Sequence, residues 1–263
     1  MFSQNREVFN YRSRRFLVVC ASVIVFACHF ATERCAVADE AAAKVFRSLC
    51  QKAASHKAIS MAIETTFVVR QDGKDREFKD ACNVYIDRKN DVIVAFKNNK
   101  QVRVEKDRIL HWNNLDDGEI SGEWIKSFNS GGKLREEVAM MLQSLVWVID
   151  AIDGGAYMEE NFDVTSVEQS DDASTFTLEY AKSPKHEYLK KIIELGSTQT
   201  AKLTMDKETG LPKSAKVVQH LGSERETTLT VQSTEFTVPR DVFDIPKKVE
   251  QEVAKQKAAG HEE

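Results

Sequence analysis

Met61-Ala62-Ile63-Glu64-Thr65-Thr66-Phe67-Val68-Val69-Arg70-Gln71-Asp72-Gly73 alternates its side chains with a period of two and then meets a tight-turn signal. Met61, Ile63, Thr65, Phe67 and Val69 fall on one side, and Ala62, Glu64, Thr66, Val68 and Arg70 on the other. That pattern describes a strand with one covered face, and Asp-Gly is a strong hairpin signal. The return strand places Cys82, Val84 and Ile86 on one face and Asn83, Tyr85 and Asp87 on the other. Lys89-Asn90-Asp91 turns the chain again, and Val92, Val94 and Phe96 follow. Val102 and Val104 come after Asn98-Asn99, and Leu110 and Trp112 after Lys106-Asp107. Short strands joined by tight polar turns make an antiparallel meander.

Outward from this meander the pattern changes. On its N-terminal side Asp39 can cap a helix running from Ala41 to about Lys57, with Val45, Leu49 and Ala53 along one face and Phe46 and Cys50 beside them. On its C-terminal side Gly131-Gly132 breaks the strands, and Leu134–Ile152 reads as a second helix ended by Gly154-Gly155. Val138, Met140, Met141, Leu142, Leu145, Val146, Trp147, Val148 and Ile149 point in nearly every direction around it, so it must be enclosed on most sides. Strands resume at Phe162 and Val164, at Phe176, Leu178 and Tyr180, at Leu203 and Met205, at Ala215 and Val217, and at Leu229 and Val231. His186 to Leu195 reads either as a short helix or as an insertion. The expectation is one mainly β (α+β) domain of roughly ten or eleven strands and two main helices. Its strongly curved antiparallel sheet is a half-barrel whose apolar concave face is covered by helices.

The N-terminus bears on where the protein works. Arg6, Arg12, Arg14 and Arg15 precede an apolar run from Phe16 to about Ala31, and Ala36-Val37-Ala38 supplies a small-x-small cleavage site before Asp39. This describes a secretory signal peptide. The run of about 16 residues is short for a bilayer-spanning helix, which needs roughly 20. The division expected is a signal peptide at 1–38, a half-barrel domain at 39–246 and a charged flexible tail at 247–263, with the mature protein periplasmic or secreted. A lipid anchor on Cys28 and an uncleaved anchor are the alternatives. Of 37 Lys and Arg and 41 Asp and Glu, the leader takes five Arg and two Glu, leaving 32 against 39 and a charge of −7. A chain this acidic is a poor non-specific partner for nucleic acid. Cys50 and Cys82 are the only cysteines left after cleavage. In an oxidising compartment they suggest one disulfide, worth about 3–4 kcal/mol if unstrained, with two separate buried thiols as the alternative.

Leu203-Thr204-Met205-Asp206-Lys207-Glu208-Thr209-Gly210-Leu211-Pro212, together with Pro239, Phe243 and Ile245-Pro246, resembles the C-terminal part of the outer-membrane lipoprotein carrier superfamily, the LolA/RseB-like periplasmic proteins. The order of elements matches over roughly residues 40–246: signal peptide, amphipathic helix, strand meander, apolar helix, further strands. The resemblance implies an unclosed barrel around an apolar cavity, helices as a lid, and a role in carrying lipoproteins or sensing lipid-like ligands. The section from Asp116 to Glu160 departs most from the family.

Reactive chemistry finds little support in the residues. His56, His111, His186, His220 and His261 show no metal-ligand spacing, and a solvent-facing strand position accounts for His111. Asp116-Asp117-Gly118-Glu119 lacks the alternation of a calcium loop. Asp150 and Asp153, at the end of the apolar helix, read as solvated helix-terminal carboxylates rather than an acid/base pair. No catalytic residue, metal site or cofactor is expected. The candidate ligand cavity is lined by Phe67, Val84, Trp112, Met141, Leu142, Leu145, Trp147, Phe176, Leu203 and Met205, with methionines suited to varied apolar shapes. Its partner would be a lipid, a lipidated protein or a hydrophobic peptide, delivered by or to something membrane-associated. The alternative is an interaction domain of the same fold with a filled core.

Overall fold

The computed structural model describes residues 40–71, 74–97, 100–105, 108–114, 120–126 and 145–258. Eleven strands form one antiparallel sheet: β1 Ala58–Gln71, β2 Lys74–Asp87, β3 Val92–Lys97, β4 Lys100–Glu105, β5 Arg108–Asn114, β6 Ile120–Lys126, β7 Phe162–Gln169, β8 Ala173–Tyr180, β9 Thr198–Asp206, β10 Pro212–Leu221 and β11 Ser223–Glu235. The spatial order is β6-β5-β4-β3-β2-β1-β11-β10-β9-β8-β7. Two meanders, β1–β6 and β7–β11, are thus sewn together along one seam where β1 pairs with β11. The curved sheet is not closed, because β6 and β7 remain its two edges. β6 went unread in the sequence: Ile120, Trp124 and Ile125 do not alternate cleanly and Gly122 interrupts them.

Four helices lie on one face. They are α1 (residues 40–54), α2 (145–152), α3 Ala156–Asn161 and α4 Glu187–Glu194. Phe46, Leu49 and Cys50 of α1, Trp147, Val148 and Ile152 of α2, Met158 of α3, and Leu189 and Ile192 of α4 join inward strand residues in one continuous core. Along β1 the inward positions Ile59, Met61 and Ile63 are the odd-numbered ones, as the period of two requires. The ambiguous stretch after Tyr180 is resolved as α4, whose apolar side carries Leu189 and Ile192.

Lys247–Ala258, in the segment that reads as a frayed helix or a flexible tail, forms α5. It lies against β6 on the opposite face of the sheet, where Val249 packs with Leu110 and Trp112, and Ile245 and Val253 border them. A single-turn 3-10 helix, Arg240–Phe243, precedes it, and Arg103 of β4 donates to the Phe243 carbonyl. Ile245, Val249 and Val253, with the Arg103 hydrogen bond just before them, therefore hold a segment whose composition is otherwise polar.

Candidate ligand site

The described part of the apolar helix, α2, is enclosed as its sequence demands. No residue of α2 from Leu145 to Ile152 is exposed, and Leu145, Trp147, Val148, Ala151 and Ile152 are buried outright. Trp147 sits 4.8 Å from the ring of Phe162, which stacks at 5.5 Å on Tyr180. At the C-terminal end of α2, Arg88 from the β2–β3 turn donates to the Ile152 carbonyl at 2.5 Å and to Asp153 at 2.6 Å. Further support comes from α1: a Cβ on Gly155 would stand 2.9 Å from the Cys50 sulfur, so the left-handed corner between α2 and α3 is pressed onto that helix.

Asp150 is the one carboxylate drawn into this packing. Its two oxygens accept the Tyr157 and Met158 amides at 3.1 and 2.9 Å, so it caps α3 from the preceding helix. Burial pushes its pKa up to about 6; the amide donors of Met158 and Tyr157 oppose that rise, and the nearby Asp153 and Glu159 charges add to it. The expected solvated helix-end carboxylate is therefore a half-buried cap, while Asp153 is the ion-paired one.

The Asp206–Pro212 stretch turns out to be a clamp on α1. Asp206 accepts the Thr209 amide at 2.7 Å and its hydroxyl at 2.9 Å. Lys52 at the end of α1 donates to the Lys207 carbonyl at 3.0 Å, and His56 lies 2.8 Å from the Thr209 carbonyl. Gly210 has φ +74° and fits against the α1 backbone, where a Cβ would stand 2.8 Å from the Ala53 nitrogen and meet the Leu49 carbonyl.

Among the candidate lining residues, Val84, Leu145, Trp147, Phe176, Leu203 and Met205 come together in the helix-covered core. Phe67 shares their face but is only half-buried. Trp112 does not belong with them. Its neighbour Ile109 faces the main core, and the pleat turns Leu110 and Trp112 to the far side, under α5. Met141 and Leu142 lie outside the described residues, as does most of the expected helix before Leu145. His111 is buried rather than solvent-facing. Cys50 and Cys82 are free thiols, not a bridge. Cys50 packs beneath Gly155 and Cys82 stands on β2, its sulfur 3.8 Å from the Asn83 carbonyl. Burial is the main cause that raises both thiol pKa values, that of Cys82 to about 12. Among the described residues no group of three His, Cys, Asp or Glu could hold a metal ion, and no helix is long and apolar enough to cross a membrane.

Sequence reading also passed over Arg76, Phe78 and Arg225. Their only signal is pairing register: Phe78 faces Phe67, and Arg76 and Arg225 both face Val69.

No protein-family model matches the chain, and no curated protein matches it. Solved structures do. A DUF1329 family protein from Desulfovibrio piger matches with a TM-score of 0.41 and 11% identity over 81% of this chain and 99% of that one. A LolA superfamily protein from Nitrosomonas europaea matches at 0.36 and 11%, over 77% and 95%. MucB, solved in complex with MucA, matches at 0.28 and 11%, over 78% and 60%. At this identity the likeness is one of fold alone.

Proposed function

We propose that the protein is an exported, non-catalytic carrier or sensor that binds a lipid, a lipidated protein or a hydrophobic peptide segment on the helix-covered face of its open sheet. The observation that carries this reading is α2, a helix with no exposed residue lodged against a sheet that does not close. Such a helix covers apolar surface that a ligand would otherwise cover, and its shift would exchange one for the other. Apolar area leaving water supplies the affinity, at roughly 25 cal/mol per Å². The leader-like N-terminus, with cleavage near Ala38, supports a periplasmic or secreted setting.

One observation favours a second reading. Val84, Phe176, Leu203 and Met205 are fully buried by the protein's own side chains. An interaction domain with a filled core would look the same at those positions. Mass spectrometry of an organic extract from the purified protein separates the two. A stoichiometric phospholipid or acylated species supports the carrier. A blank extract, with no displacement of a hydrophobic dye by added lipid, leaves the interaction domain.

A further inference from the structure

The β1–β2–β11 end of the sheet has two unlike faces. On the outer face the charges satisfy one another: Arg70 pairs with Asp75, Glu224 and Glu226, Lys216 reaches Glu226 at 2.9 Å, and Lys79 reaches Glu77 at 3.2 Å. On the inner face one cross-strand row runs Leu178, Ala201, Val217, Thr227, Phe67, Phe78 by direct Cα pairing. It starts in the core, with Leu178 and Ala201 inaccessible, and ends at Phe78, which is 54% exposed. Phe67 and Phe78 stand 6.4 Å apart, ring to ring. An apolar row that leaves the core and surfaces in an aromatic pair is not what a finished sheet edge needs; exposed strand ends are ordinarily polar or charged.

The next row completes the picture. Arg225 and Arg76 flank Val69 from either side, both exposed and both on this inner face. Among the described residues neither has a carboxylate within ion-pair reach, whereas Glu224 and Glu226 of the outer face are paired there. Two guanidinium groups two strands apart, about 10 Å at the backbone, can converge on one anion above Val69. On the other side of the apolar row, Asp80 is already held by Lys97 at 2.8 Å.

We propose that this inner face seats a fatty-acyl lipid with an anionic head: one acyl chain lies along Val217, Thr227, Phe67 and Phe78, and its phosphate or carboxylate is held between Arg76 and Arg225. The proposal rests on the carrier reading above and narrows its ligand to an anionic amphiphile. It also gives the entry route, since the row leads from the exposed Phe78 through the half-buried Phe67 to the buried core.

The test is displacement of a hydrophobic fluorescent dye from the purified protein by monomeric 1-oleoyl-lysophosphatidylglycerol and, separately, by the zwitterionic 1-oleoyl-lysophosphatidylcholine. The wild type should prefer the anionic lipid. Arg76→Gln with Arg225→Gln should weaken it about tenfold and leave the zwitterionic lipid unchanged, as expected for loss of two charge-assisted contacts. Phe78→Ser should weaken both lipids. All three side chains are exposed, so these variants retain the core. Anionic lipid bound equally well by every variant would overturn the arm as the site and leave the carrier reading standing. Displacement of the dye from the wild type by neither lipid would overturn both. Binding to phosphatidylglycerol vesicles without uptake of monomers would overturn the proposal in favour of a membrane-docking surface.

Discussion

Asp150 ties its chemistry to its position more closely than any other side chain here. Its pKa rises from 3.8 to about 6 on folding, so between those values the folded chain binds a proton that the unfolded chain has released. Stability attributable to this group is therefore fully present below about pH 4 and is lost as pH rises through 6, a loss of roughly 3 kcal/mol by pH 7. Asp150→Asn removes the charge and keeps one acceptor for the α3 amides. Its melting temperature minus that of the wild type should climb between pH 4 and 6 and level off above; a flat difference would mean the carboxylate is not held in a desolvated place. The two cysteines make a second residue-scale prediction. A thiol reagent should find neither Cys50 nor Cys82 in the native protein and both after unfolding in guanidinium, because burial disfavours the thiolate in each. The presence of two cysteines carries no information on whether their side chains point at each other. That was fixed by α1 crossing the corner at Gly155, which sequence does not display.

At the scale of elements, the strands were legible wherever alternation ended in a polar turn, and α1 wherever apolar residues recurred at fours. The face on which an element buries itself was less so. Trp112 alternates as well as Phe67 does, yet it lies under α5, and nothing in the alternation says which side a helix arriving more than a hundred residues later will cover. The turn at Thr209-Gly210 was legible as a turn but not as a clamp. With φ +74° and the α1 backbone in contact with the space a side chain would need, Gly210→Ala should cost about 2–3 kcal/mol. Urea unfolding would measure it, and Gly222→Ala is the control: φ is +69° there, but the Cβ meets open space, so about 1 kcal/mol is expected. A similar cost for both would mean that α1 does not press on the first turn. α5 can be tested by itself. Val249→Asp places a charge between Leu110 and Trp112 and should release the helix, seen as rapid proteolysis after Lys247 or Lys248 with the strand core intact.

The whole molecule is organised by its seam. Ser60–Arg70 pairs with Glu224–Glu235, about 150 positions or more further along the chain, and among the described residues this is where the two meanders share a ladder. Each meander taken alone is local and quickly formed; the seam is not, since long loops must close before its contacts form. Neither strand announces its partner, because β1 and β11 each satisfy the same alternation that any neighbour would accept. What makes the halves one unit is the core above the seam: Ile63 and Leu229 enter it from the two strands, and α2 reaches both meanders, through Arg88 at Ile152 and Phe162 at Trp147. Unfolding should then be a single transition. Trp112 sits in the first meander and Trp147 over the core, so variants with one of these tryptophans, the others replaced by phenylalanine, report on different regions. Their fluorescence midpoints in urea should coincide with each other and with far-ultraviolet dichroism. A Trp112 midpoint well below that of Trp147, in variants of equal overall stability, would show the first meander opening on its own, and the seam rather than the shared core would then be the weak line of the structure.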